Sequence, residues 1–166
     1  MIDVIVYNSE TGSCKRYAEL LSEALNVPAK PFGEAVVLPD KKAMYISWLT
    51  AGKISGLGKA MKTLPVAAVV QVGISPVRAD TAASTRKANK IPDSVAVFCK
   101  QGGLHMSKLS GPFRAIMTVV NKKVLGDLKK KTELDAQEKA LYQMVTTGEG
   151  EPASWDIDDI VAWCKK

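Results

Sequence analysis

The sequence predicts an α/β fold, a parallel sheet buried between helices, and three observations carry that prediction. Three largely apolar runs, Ile2–Tyr7, Ala43–Leu49 and Val66–Gly73, read as buried strands, and Ala43–Leu49 is too apolar to leave a solvated face, as strands covered on both sides must be. Segments of helical periodicity separate the strand candidates at the spacing of βαβ units. At 166 residues, 46% hydrophobic and 24% charged, the chain can bury a substantial core as one domain, residues 1–166.

The first strand, Ile2–Tyr7, passes through a small-residue turn into a helix over about Ser13–Leu25, with Tyr17, Leu20, Leu21, Ala24 and Leu25 as its apolar stripe. Asn26 stops that helix, and Val27–Phe32, interrupted by two prolines, suits only a short edge strand. A short helical turn is expected over Gly33–Leu38, ending at Pro39-Asp40. After the third strand, Ala43–Leu49, a glycine-punctuated loop enters a short helix that stops near Thr63. Val66–Gly73 is the clearest buried strand, and Ser75-Pro76 opens a polar helix over about Val77–Asn89. Val95–Cys99 is the fifth strand and leads into the loop KQGGLH.

From Ser110 the pattern turns helical. Ser110 can cap, Pro112 suits a first turn, and Phe113, Ile116, Met117, Val120 and Val124 are expected on one face. A second helix starts at Asp135, where Glu138 completes a capping box, and ends before Gly148. GEGEP is expected to be a loop. The last helix starts near Asp156, with acids at its start and Lys165-Lys166 at its end, in line with the helix dipole.

Charge and cysteine content exclude several classes. The net charge is +6, and residues 106–131 hold seven basic residues against Asp127 alone, so the rest of the chain is balanced. Such a localised charge does not make a general nucleic-acid surface, but it suits an anionic membrane or a partner protein. Cys14, Cys99 and Cys164, with the single His105, match no disulfide framework and no metal-ligand spacing. No apolar run reaches the length of a membrane span, and the N-terminus shows no signal-peptide pattern. The expected location is cytoplasmic, with peripheral membrane contact through residues 106–131 as an option.

In an open parallel sheet, ligands bind beyond the carboxyl ends of the strands. Three small-residue loops leave such ends: Ser9–Cys14, Trp48–Ile54 and Lys100–His105. The first opens a helix, where unpaired N–H groups and the dipole favour a phosphate. By itself that loop reads equally as a capped helix start.

The stretch SETGSC, Ser9–Cys14, resembles the flavodoxin phosphate loop Ser/Thr-x-Thr-Gly-x-Thr except at its last position, Cys14. SWLTAGKISGLGKAM, VGISP and QGGLHMSKLS resemble segments of small bacterial flavodoxin-domain proteins related to the menaquinone-dependent protoporphyrinogen dehydrogenases. The resemblance implies a flavodoxin-like three-layer sandwich with a five-stranded parallel sheet in the order 2-1-3-4-5. It also implies an added helical segment, about 106–148, before the last helix. The implied cofactor is FMN, and the implied activity is an oxidoreductase passing electrons through bound flavin, with a tetrapyrrole donor, a quinone acceptor or a redox partner protein.

Carried over, the motif assigns Ser9, Glu10, Thr11, Gly12, Ser13 and Cys14 to the phosphate. The resemblance of the other two loops makes Trp48, Leu49, Thr50, Ala51 and Gly52 candidates for one edge of the flavin ring, and Lys100, Gln101, Gly102 and Gly103 for the other. Lys53 and Lys100 are expected to place positive charge beside the ring and favour its anionic reduced form. His105 is a candidate proton relay. A thiol at a helix start is expected to be acidic, which makes a redox-active Cys14 a rival reading. An electron carrier without its own substrate and a flavin-free interaction module are the alternatives. A phosphoacceptor receiver domain lacks its acidic pair at Tyr7-Asn8-Ser9, and a P-loop lacks its hydroxyl at Gly52-Lys53-Ile54.

Overall fold

Alternating side chains on three short strands divide the core into two halves. The computed structural model describes residues 1–34 and 40–166. The helical turn expected over Gly33–Leu38 falls mostly outside those residues. On β1 (Val4–Tyr7), Ile5 faces one side of the sheet while Val4 and Val6 face the other. β3 (Ala43–Thr50) repeats the pattern, with Met44 and Ile46 opposite Ala43 and Tyr45. So does β5 (Val66–Gly73), with Ala68, Val70 and Val72 opposite Val69. A period of two with both faces apolar is what a sheet enclosed by two helical layers requires.

The strands order themselves β2-β1-β3-β5-β6 and all pair in parallel, where β2 is Ala29–Pro31 and β6 is Ala96–Gln101. β4 (Lys53–Ile54) turns back antiparallel on the end of β3 and lies off this path. The order therefore differs from the expected 2-1-3-4-5 by this interposed strand. Pro31 sits on edge strand β2, where its missing N–H costs no ladder bond. α1 (Ser13–Leu25) and α6 (Asp158–Cys164) cover one face through Tyr17, Ala18, Leu21 and Ile160. α2 (Leu57–Thr63) covers the other through Leu57 and Ala60, beside α3 (Thr81–Asn89), whose Thr85 reaches Gln71 of β5.

The sequence places α1, β2, β3, α2 and β5 within a residue or two. α3 starts at Thr81, four residues later than expected. Val77 N–H donates to Gln137 Oε1, and Arg78 and Thr81 close a turn on each other, so that stretch is held before it can coil. β6 runs on to Gln101, two residues past the expected end, because its ladder with β5 continues to Gly73. Lys100 and Gln101 are therefore strand residues and not loop residues.

Beyond β6, β7 (Leu104–His105) pairs antiparallel with β8 (Glu149–Gly150). β8 lies where the sequence suggested only a loop. Between them run a 3-10 turn (Met106–Lys108), α4 (Gly111–Leu128) and α5 (Ala136–Thr147). α5 carries the expected capping box: Glu138 N–H donates to Asp135 Oδ1 at 2.9 Å, and Asp135 N–H to Glu138 Oε2 at 3.1 Å. Gly148 ends it at φ 78.

These helices share a separate small core of Leu104, Leu128, Leu141, Met144 and Val145, with Phe113 outside it on Trp48. The single apolar face expected for α4 splits in two. Met117 and Val124 turn inward, whereas Ile116 is 55%, Val119 70% and Val120 39% exposed. Among the described residues, no helix is long and apolar enough to cross a membrane.

Candidate functional site

All five parallel strands end on one edge, and the loops leaving β1 and β6 meet there. After β1, Ser9 Oγ accepts the N–H groups of Gly12 and Lys15, at 3.2 and 3.3 Å, so this hydroxyl holds the turn together. Gly12 sits at φ 111, a left-handed value that glycine tolerates without strain, and it aims the chain into α1. The side chain of Ser13 is buried, and its Oγ accepts the Gly103 N–H at 3.0 Å. Gly102 N–H donates to Gly73 O at 2.8 Å. A Cβ on Gly102 would come within 2.7 Å of Val72 and 3.1 Å of Ser13, so only glycine permits this approach.

A cavity of about 320 Å³ opens beside this junction. Thr11, Gly12 and Ser13 form its floor, and Arg16, one turn further along α1, reaches the same space. His105 and Lys108 enter from β7 and the 3-10 turn, and Glu151 and Trp155 enter from the chain leading to α6. Trp155 is held by Tyr17, with ring centroids 4.9 Å apart. Tyr17 is fixed in turn by donating to Gln101 O at 2.7 Å, and its hydroxyl pKa is pushed up by burial and then by Asp156 and Asp159. The first turn of α1 has N–H groups with no intrahelical partner, and Arg16 and Lys108 add positive charge. Chemically the cavity suits an anion joined to a flat group that can lie against an aromatic wall.

Of the phosphate-loop residues, Thr11, Gly12 and Ser13 line this cavity. Ser9 turns its oxygen inward, and Glu10 is exposed. Cys14 corrects the rival reading of an acidic thiol. Its side chain is 2% exposed in the main core, and burial pushes its pKa up to about 12, overriding the influence of the helix start. Only its backbone N–H remains for a ligand.

The second expected loop is no open loop. Thr50 pairs with Lys53 across a two-residue hairpin whose Ala51 and Gly52 adopt φ 48 and 79, the twist that suits a tight β-turn. Trp48 is partly buried and meets Phe113 of α4 edge-on, centroids 5.6 Å apart. Leu49 packs on the opposite side of the sheet, against the α2 core. Thr50 Oγ1 is buried without a hydrogen-bond partner among the described residues. Lys53 donates its ammonium to Ala88 O at the end of α3 and leaves the site altogether.

The third loop shows the largest displacement of roles. Lys100 is 7% exposed, and its Nζ lies 2.7 Å from Asp159 and 3.6 Å from Asp156. Two carboxylates on one ammonium leave no free positive charge for a ring. Gln101 is also consumed, donating to Ile74 O and Gln137 O at 3.0 and 2.9 Å and accepting from Ala153 N–H at 3.3 Å. His105 lies between two acids, Nδ1 at 3.0 Å from Glu149 and Nε2 at 3.3 Å from Glu151.

Sequence reasoning missed Arg16, Lys108 and Trp155. Arg16 was legible, since it follows Ser13 by three positions on a helix. Trp155 gave no local signal, because only the path of residues 149–157 returns it to α1. No protein-family model matches the chain, and no curated protein matches it significantly.

Proposed function

We propose that this chain is a flavodoxin-like, FMN-binding oxidoreductase that passes electrons through bound flavin. The observation that carries the reading is the cationic cavity at the start of α1, on the carboxyl edge of the parallel sheet. The donor set fits a phosphate: the Thr11 hydroxyl, the N–H groups of Ser13 and Cys14, which Ser9 does not take, and the cations Arg16 and Lys108. The Thr50 hydroxyl, partnerless among the described residues, and the neighbouring Trp48 are consistent with a polar, flat ring at the next strand end.

FMN, when bound, supplies electron transfer in steps of one or two. The chain's own residues do the rest. Arg16 and Lys108 hold and orient the phosphate, and Trp155 excludes water from one side of the cavity. Ser13, tied to Gly103, keeps the first and third loops in register. Lys100, neutralised by Asp156 and Asp159, does not bias the flavin's charge. A quinone acceptor and a tetrapyrrole donor belong to this proposal through the sequence resemblance alone.

The test is the absorbance of the purified protein, followed by titration with FMN and riboflavin. FMN should bind, riboflavin should bind more weakly, and Arg16→Ala should weaken FMN by about tenfold, the loss expected for one charge-assisted bond. A protein that is colourless and leaves FMN fluorescence unchanged sinks the reading. The exposed apolar residues of α4 favour a second one, a flavin-free interaction module, and that outcome would leave it standing.

A further inference from the structure

We propose that α4 is a docking element for an anionic lipid surface. Its outer face carries Ile116, Val119 and Val120, each more than a third exposed, on neighbouring turns. Large apolar residues exposed side by side form a contiguous patch, the kind of surface that marks a contact site. Here the charge around them identifies the occupant. Lys122, Lys123 and Lys129 follow directly along α4 and its end, and none has an ion-pair partner among the described residues. Among the described residues, Asp127 is the sole acid on α4, and it already faces Lys130 at 3.3 Å.

Of the other basic residues of the segment, Lys108 lines the cavity at the start of α1, away from this face, and Arg114, Lys130 and Lys131 are engaged within the fold. Arg114 donates to Met106 O, Ser107 O and Leu109 O, and Lys131 pairs with Glu138. The free charge of this face is therefore concentrated in the C-terminal half of α4 and at its end, while the exposed apolar side chains occupy the middle of the helix. An apolar patch that enters the acyl boundary beside lysines at headgroup level is the arrangement of an interfacial helix. A second copy of this chain would bring lysines against lysines, which charge repulsion opposes.

The experiment is flotation of the protein, residues 1–166, with vesicles of pure phosphatidylcholine and of phosphatidylcholine mixed with phosphatidylglycerol, at low and high salt. Binding is expected only to the mixed vesicles, and high salt should weaken it as the Debye length falls from about 10 Å to about 3 Å. Lys122→Ala with Lys123→Ala should lower the partition coefficient by about fivefold per lysine. Val119→Asp should abolish binding, with circular dichroism and the urea midpoint unchanged because the residue is exposed.

Failure to float with the anionic vesicles at low salt overturns the proposal. So does binding that survives Val119→Asp, since the apolar face would then play no part. Sedimentation showing a dimer that Val119→Asp dissociates, without vesicle binding, assigns the face to a second copy and also overturns it.

Discussion

α1 and α4 are both amphipathic in sequence, yet the fold treats them in opposite ways. α1 turns Cys14, Tyr17, Ala18 and Leu21 inward at helical spacing, and a flat sheet face receives all of them. α4 is longer, but only Asn121 and Leu128 are buried, and its apolar residues surround the axis too widely for one orientation to cover. The contrast shows that a helix is anchored by how narrow its apolar stripe is, not by how many apolar residues it holds. The narrow helix presents its start to a cavity as a rigid floor. The wide one leaves part of its surface for something outside the fold.

The comparison can be broken most forcefully in the core. Leu21→Ala removes a fully buried side chain from α1 and should cost about 2–5 kcal/mol in urea unfolding. A loss well under 1 kcal/mol would mean that α1 is not the anchored partner. Gln101→Leu comes next. It strips partners from Ile74 O, Gln137 O and Ala153 N–H, the polar tie between sheet and added helices, and should cost about 1–3 kcal/mol.

A smaller effect is expected from Glu149, whose pKa is lowered from 4.5 to about 2, first by Ser107 and then by His105. Its folded pKa lies below its unfolded one, so its stabilisation is complete above pH 4.5 and disappears as pH falls through about 2. Glu149→Gln should therefore flatten the dependence of the urea midpoint on pH within that acid window and leave its slope near neutrality unchanged. An identical acid limb in both proteins would refute the assignment. Least of all, Ile116→Ser on the outer face of α4 should change stability by no more than about 0.5 kcal/mol. A large loss there would mean that the face is already covered.

Much of the fold was legible in the sequence because strand periodicity and helix caps are local. Asp135 with Glu138 named the start of α5, and Asn26 named the end of α1, where it adopts φ 52. The site was legible only in its floor, Thr11 to Ser13, since a loop opening a helix announces its free N–H groups. The fates of Lys100 and Gln101 were not, because both depend on partners some 27 to 59 residues away in sequence. Trp48 was identified as an aromatic strand end, but nothing near it in sequence said that Phe113 would meet it. Cys14 failed for a physical reason: proximity to a helix start predicts acidity, and burial, invisible from spacing, outweighs it.

The pairing of Leu104 with Gly150 and of His105 with Glu149 has a consequence for the chain's architecture. The excursion through α4 and α5 leaves and rejoins the sheet domain at one point, with its two ends clasped. It also has its own core in Leu128, Leu141, Met144 and Val145. The segment therefore behaves as a cassette: a tight turn from His105 to Glu149 closes the β7–β8 hairpin without stretching the backbone. Its removal uncovers Leu104, Ile74 and Trp48 and takes Gln137 from Gln101 and Val77, but leaves the α1 layer and the cavity floor of Thr11, Gly12 and Ser13 in place.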